Sequence, residues 1–167
     1  DQMFNVGYNL LNTINNIYLD TQGEVKLQIS TSESLTGGLI MSSLINIPTA
    51  GWAKYGCFGV YDTDAKRVFN SVRIDDVYTH TCAKEMAIGI LKNSNATLGI
   101  SVSGNAMPYY DDLNRLGEVF IGVATYSTKD GSPTIIYDTK SINTCLHTDE
   151  IGSQIQGVCN NWLQQQP

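Results

Sequence analysis

The sequence predicts an α/β fold, a three-layer α/β/α sandwich around a mixed, mainly parallel sheet. Segments with apolar side chains every three or four residues alternate with short strand-like runs, the pattern of helices packed on a sheet. Two strand-like runs near the end flank the turn Lys129-Asp130-Gly131-Ser132. That hairpin adds antiparallel pairing and makes the sheet mixed. The chain has 167 residues, of which 42% are apolar. This is the size of one core, so residues 1–167 read as a single domain.

Each element has its own signal. Residues 3–19 carry Phe4, Val6, Leu10, Leu11, Ile14, Ile17 and Tyr18 at helical spacing, an amphipathic helix. A glycine-containing turn at 20–24 leads to 25–30, where V-K-L-Q-I-S alternates as a half-buried strand. A second helix is expected over 36–46, closed by Pro48. The apolar run 54–61, with Gly56 and Gly59, reads as a buried strand, and 62–72 as a short helix with an acidic cap. Thr79 suits the N-cap of a longer helix that puts Cys82, Met86, Ile90 and Leu91 on one face. A strand at 97–103, a loop at 104–117, strands at 118–125 and 134–142 and a last helix at 148–163 complete the order.

Acidic residues outnumber basic ones 16 to 10, for a formal charge of −6. That balance argues against a nucleic-acid or anionic-membrane partner, which draws on clustered Lys and Arg. No apolar run is long enough to span a bilayer, and no leader pattern stands at the start. Of the four cysteines, Cys57, Cys82, Cys145 and Cys159, none forms a C-x-x-C pair. His80 and His147 complete no zinc spacing, so no metal is expected. Free, buried thiols and a reducing, cytoplasmic setting are the expectation.

Three segments follow strands and could carry chemistry. Ser32-Glu33-Ser34-Leu35-Thr36-Gly37-Gly38 lies at a strand-to-helix turn, where a serine can be presented as a nucleophile and glycines let a ligand approach the backbone. Taken alone, the segment reads first as a helix cap at Ser34 or Thr36, with glycines that loosen the first turn. Tyr61 and Lys66 could meet at a strand end, where a lysine of lowered pKa serves a serine as general base and a tyrosine relays the proton. As an isolated pair they read as a core-edge tyrosine and a solvated lysine. Ser101 to Pro108, a glycine-containing turn, could offer backbone donors to an oxyanion or phosphate, or be a plain loop.

Taken together, the three segments resemble the C-terminal domain of the competence/damage-inducible protein CinA, a family that includes nicotinamide mononucleotide amidohydrolases. The motif E-S-[CL]-T-G-G is matched unchanged by Glu33 to Gly38. A strand ending in Tyr and followed by E-A-K resembles Tyr61 to Lys66. E-M-A-x-G resembles Glu85 to Gly89, S-G-I-A-G-P resembles Ser103 to Pro108, and V-G-T-V resembles Leu116 to Val119. The resemblance implies hydrolysis of the substrate's carboxamide to the acid and ammonia, without a cofactor. Ser34 would attack, and Lys66 with Tyr61 would manage its proton. Thr36, Gly37, Gly38, Ser103, Gly104, Asn105, Ala106, Gly117 and His147 would bind a pyridine nucleotide, in a homo-oligomer. The chain departs from the family on the binding side. Asn105 stands for an apolar residue, Met107 for a glycine and Glu118 for a threonine, and His147 is the nearest match to a phosphate-holding arginine. A neutral imidazole is a weak substitute for a guanidinium. A catalytically inactive CinA-like binding or assembly module with an eroded phosphate site is therefore the alternative expectation.

Overall fold

The computed structural model describes residues 1–105, 117–128 and 131–144. Helix α1 (Gln2–Asp20) precedes β1 (Ile29–Glu33), followed by α2 (Leu39–Ile45), β2 (Lys54–Gly59), α3 (Thr63–Asn70), α4 (His80–Asn93), β3 (Leu98–Gly104), β4 (Glu118–Ser127) and β5 (Thr134–Asn143). The sheet order is β2-β1-β3-β4-β5. Strand β1 runs parallel to β2 and β3, whereas β3, β4 and β5 pair antiparallel. A parallel core with an antiparallel extension is the mixed sheet that the helix–strand order and the late hairpin imply.

Side-chain alternation divides the sheet between two helical layers. Ile29, Leu98 and Ile100 face α1 and α2, where Leu11, Ile14, Met41, Leu44 and Ile47 close one core. On the other face Val60, Val72, Cys82 and Met86 form a second cluster, and Ala87, Leu91 and Ala124 a third. Helix α4 sits low because the strands beneath it carry small residues. A Cβ on Gly99 would lie 2.6 Å from the Ala87 carbonyl oxygen, and one on Gly122 would strike that of Ala83. Between them Ser101 donates to the Ala83 carbonyl at 2.6 Å.

The structure departs from the sequence expectations in four places. The first strand is Ile29–Glu33 rather than 25–30. Its polar I-S-T-S-E run is buried throughout because its hydroxyls find partners: Ser30 donates to the Gly56 carbonyl, Thr31 to Glu33 and Ser32 to Asn70. Helix α2 starts at Leu39, since Gly37 and Gly38 hold φ of 59° and 105° and delay the helical turn. Strand β2 is an edge strand with alternating exposure, not a buried one, and Cys57 on it is an exposed thiol. In α1, Phe4 and Val6 are exposed, and burial falls on Gly7, Leu11 and Ile14.

Thr79 does cap α4, accepting from the Cys82 amide at 3.1 Å, and Cys82 is free and buried. No described helix is long and apolar enough to cross a membrane. The expected helix over 148–163, residues 129–130 of the turn, Cys145 and Cys159 lie outside the described residues.

Candidate active site

Ser34 stands where the three parallel strands end, the edge at which α/β sheets collect ligands. The Ser34 amide donates to the Val102 carbonyl at 3.1 Å, and the Val60 amide donates to the Glu33 carbonyl at 3.0 Å. The backbone at the serine is thus held from both neighbouring strands. Lys66 approaches from α3, whose N-cap Asp62 accepts from the Asp64 amide. The Ser32 hydroxyl on Asn70 at 2.5 Å ties that helix to β1. Lys66 is 1% exposed and Ser34 6%. Its Nζ lies 3.0 Å from Ser34 Oγ, 2.8 Å from the Val60 carbonyl oxygen and 2.7 Å from that of Tyr61.

Burial pushes the Lys66 ammonium below the usual lysine range, with Cys82 and Asp62 opposing the shift. Burial also pushes the Cys82 thiol up, so its opposing effect on Lys66 is felt only above neutral pH, where the thiol ionises. A neutral amine has two N–H groups and one lone pair. In that state the two carbonyls would take the N–H groups and the lone pair would face the Ser34 O–H, whereas a charged Lys66 donates to all three oxygens. The neutral state is the arrangement of a general base on a serine nucleophile.

Glu33 fixes the turn that presents the serine. Its carboxylate is fully buried. Oε1 accepts from the Thr36 hydroxyl and the Ile40 amide, both at 2.8 Å, and Oε2 from the Thr31 hydroxyl at 2.8 Å and the Met41 amide at 3.0 Å. Burial by itself raises a carboxyl pKa, but these four donors together hold Glu33 below its ordinary value. The carboxylate thus ties down the first turn of α2 and the E-S-L-T-G-G segment at once. The sequence marked Glu33 only as part of that motif; its clue was that Gly38, at the cap position of α2, has no side chain to do this.

The pocket above Ser34 encloses about 240 Å³ and is lined by Leu35, Tyr61, Asp62, Thr63, Lys66, Val77, Tyr78, Gly104 and Asn105 besides the serine. Ser34, Tyr61, Lys66, Gly104 and Asn105 therefore meet as expected. Tyr61 differs in detail. The chain turns at Asp62, and it is the Tyr61 main-chain carbonyl that Lys66 reaches, while the ring is 62% exposed along the pocket wall.

Other expected binding residues stand behind the wall. The Thr36 hydroxyl is committed to Glu33. Gly37 and Gly38 serve the turn by their positive φ, since a Cβ on either would meet nothing within 4 Å. Ser103 donates to the Val77 carbonyl and so anchors the loop that brings Val77 and Tyr78 into the lining. Gly117, at φ 85°, donates to the Asn105 carbonyl at 2.7 Å. Glu118 is not part of the lining; among the described residues the carboxylate there is that of Asp62. Ala106, Met107 and His147 lie outside the described residues. Leu35 and Thr63 lay inside the two motifs without being singled out, and Val77 and Tyr78 carried no signal in the sequence, because they reach the site through a loop rather than through a spaced motif.

A family model, the CinA C-terminal domain, matches residues 11–143. The CinA-like protein of Chloroherpeton thalassium is 39% identical over 112 residues, 64% of this chain and 26% of the relative. The CinA-like protein of Trichodesmium erythraeum is 34% identical over 104 residues, 59% of this chain and 24% of the relative. The chain thus spans about a quarter of the length of these relatives. Among solved structures, competence/damage inducible protein CihA from Agrobacterium tumefaciens superposes with a TM-score of 0.68 at 21% identity, covering 98% of this chain and 94% of that one. At that identity the likeness shows the fold.

Proposed function

From the premise that the chain belongs to the CinA C-terminal domain family, we propose that it is a serine amidohydrolase that converts a pyridine nucleotide carboxamide, nicotinamide mononucleotide or a close relative, to its acid and ammonia. The observation that carries this reading is the buried Lys66 Nζ at 3.0 Å from Ser34 Oγ, with two carbonyls occupying its N–H groups.

In the first step Ser34 Oγ bonds to the amide carbon and its proton passes to neutral Lys66. The tetrahedral species then collapses: the C–N bond breaks, Lys66 returns the proton to the leaving nitrogen, and ammonia departs. Water adds to the resulting Ser34 ester, giving its proton to Lys66; the C–Oγ bond then breaks, Lys66 returns the proton to Ser34 Oγ, and the acid is freed. A general base of this kind contributes about 10²–10⁴-fold in rate. Tyr61, Tyr78 and the Asp62 carboxylate in the lining suit a flat pyridinium cation, which aromatic faces and a negative charge both attract.

A second reading, a CinA-like binding module without turnover, draws on the same three acceptors. A charged Lys66 would donate to Ser34, Val60 and Tyr61 and leave the serine without a base. The two readings separate on one experiment. Ammonia release from nicotinamide mononucleotide is expected with the wild-type protein, absent in Ser34→Ala, and rising with pH as Lys66 sheds its proton. Equal release by both proteins would sink the hydrolase. No release at any pH, with nicotinamide mononucleotide still binding in a calorimeter, would favour the module.

A further inference from the structure

The end of β3 holds a group for which the hydrolytic steps above find no use. Asn105 follows that strand directly. Its amide donates to the Glu118 carbonyl at 3.0 Å and its own carbonyl accepts from Gly117 at 2.7 Å, so its main chain is clamped on both sides. The side chain is 1% exposed and belongs to the wall of the Ser34 pocket. Among the described residues neither Oδ1 nor Nδ2 has a hydrogen-bond partner. Buried polar side chains are nearly always paired. Asn70 is a lesser case, because its Oδ1 takes the Ser32 hydroxyl and only Nδ2 is orphaned. Asn105 keeps a donor and an acceptor side by side, unpaired among the described residues, in the wall of the pocket that holds the nucleophile.

We propose that Asn105 reads the primary carboxamide of the substrate through a reciprocal pair. Its Nδ2–H donates to the substrate carbonyl oxygen, and its Oδ1 accepts from the substrate N–H. The proposal rests on the hydrolase reading for its ligand class. A primary amide offers one acceptor and one donor in the matching order. Exchanging the two ends of the Asn105 amide reverses the roles without changing the pairing. The acid product cannot match it: a carboxylate offers acceptors alone, keeps the bond to Nδ2 and turns negative charge toward Oδ1. Recognition by Asn105 therefore favours substrate over product and lets the product leave. A site built to pair with a polar group rejects an analogue that leaves its own groups unpaired. Where the motif S-G-I-A-G-P carries an apolar side chain, this chain places the one functional group that mirrors an amide.

The test is calorimetric titration of Ser34→Ala protein, so that nothing turns over, with nicotinamide mononucleotide and nicotinate mononucleotide. Thermal melts of the free proteins run alongside. Ser34→Ala should bind the amide about tenfold or more tighter than the acid. Adding Asn105→Leu should erase that preference by weakening the amide more than the acid, without lowering the melting temperature, because an apolar side chain replaces a pair of orphaned groups. The isosteric Asn105→Asp, which has no donor, should likewise lose about tenfold or more in amide affinity.

Equal affinity for amide and acid, or no amide binding to Ser34→Ala, overturns the proposal. So does a fall in melting temperature with amide affinity intact in Asn105→Leu, which marks a purely structural residue. Asn105-dependent amide binding in a protein that releases no ammonia leaves recognition standing and removes the hydrolase. Ammonia release with equal kcat/KM in wild type and Asn105→Leu does the reverse.

Discussion

Glu33→Gln isolates the contribution of the buried carboxylate beneath the nucleophile. The carboxylate is 0% exposed and accepts at each oxygen from a hydroxyl and a main-chain amide, with the Cys57 thiol a weaker third donor to Oε2 at 3.4 Å. Glutamine keeps one oxygen and sets an NH₂ against the other pair of donors. The hydroxyl in that pair, Thr31 or Thr36, can rotate and accept; the amide of Met41 or Ile40 cannot, and it loses its partner. A hydrogen bond to a charged group is worth about 1.5–3 kcal/mol, and an unsatisfied buried donor costs about 1–3 kcal/mol, so the expected loss is about 3–5 kcal/mol. Against a domain stability of about 5–15 kcal/mol this is a large fraction.

Urea unfolding followed by circular dichroism should show a lower midpoint with an unchanged slope. The folded carboxyl pKa lies below its ordinary value. The contribution is therefore present above the ordinary glutamate pKa and is lost as pH falls through the folded value. The gap between wild type and Glu33→Gln should hold above about pH 5 and narrow on further acidification. A loss under about 0.5 kcal/mol, the range of an ordinary surface substitution, or a gap that widens in acid, would refute the reasoning.

Three further outcomes are expected. Lys66→Met keeps length and bulk but removes the base; ammonia release should fall about 10²–10⁴-fold, while circular dichroism and the urea midpoint stay near wild type. The folded Lys66 sits below the usual lysine range, so the unfolded chain binds a proton that the folded one sheds. Stability should consequently rise with pH between the folded and ordinary values, and kcat/KM should rise through the folded one; Lys66→Met should flatten the stability rise. Gly89→Ala would drive a Cβ into the main-chain carbonyl of Asn70, with the Asn70 Cα at 2.8 Å, and thermal melts should register a loss of about 3 kcal/mol, the upper end of overpacking costs.

The fold was legible where periodicity reports burial: α1, α4 and the β4–β5 hairpin all lie close to their expected ranges. It was illegible in β1. There Ser30, Thr31, Ser32 and Glu33 are fully buried by virtue of hydrogen bonds to residues as far away as Gly56 and Asn70, and no local pattern encodes such partners. The site shows the same division. Ser34 and Lys66 sit in motifs and were found together. Glu33 as the buried acceptor, Tyr61 acting through its carbonyl, and Ser103 turned to Val77 depend on how strands and turns juxtapose, as does the entry of Asp62 and Tyr78 into the lining. Glu118, expected at the site from its place in a motif, stands outside the lining because β4 delivers its backbone there, accepting from Asn105, rather than its side chain.

The measurement that bears most directly on the nucleophile is labelling by a serine-directed fluorophosphonate, mapped by peptide mass spectrometry in wild type and Lys66→Met across a pH series. The expected result is a single modified residue, Ser34, labelled faster as pH rises toward the ordinary lysine range and inert in Lys66→Met. Labelling of Ser34 at the same rate in both proteins, or of other serines in its place, would contradict a serine activated by a neutral, buried lysine.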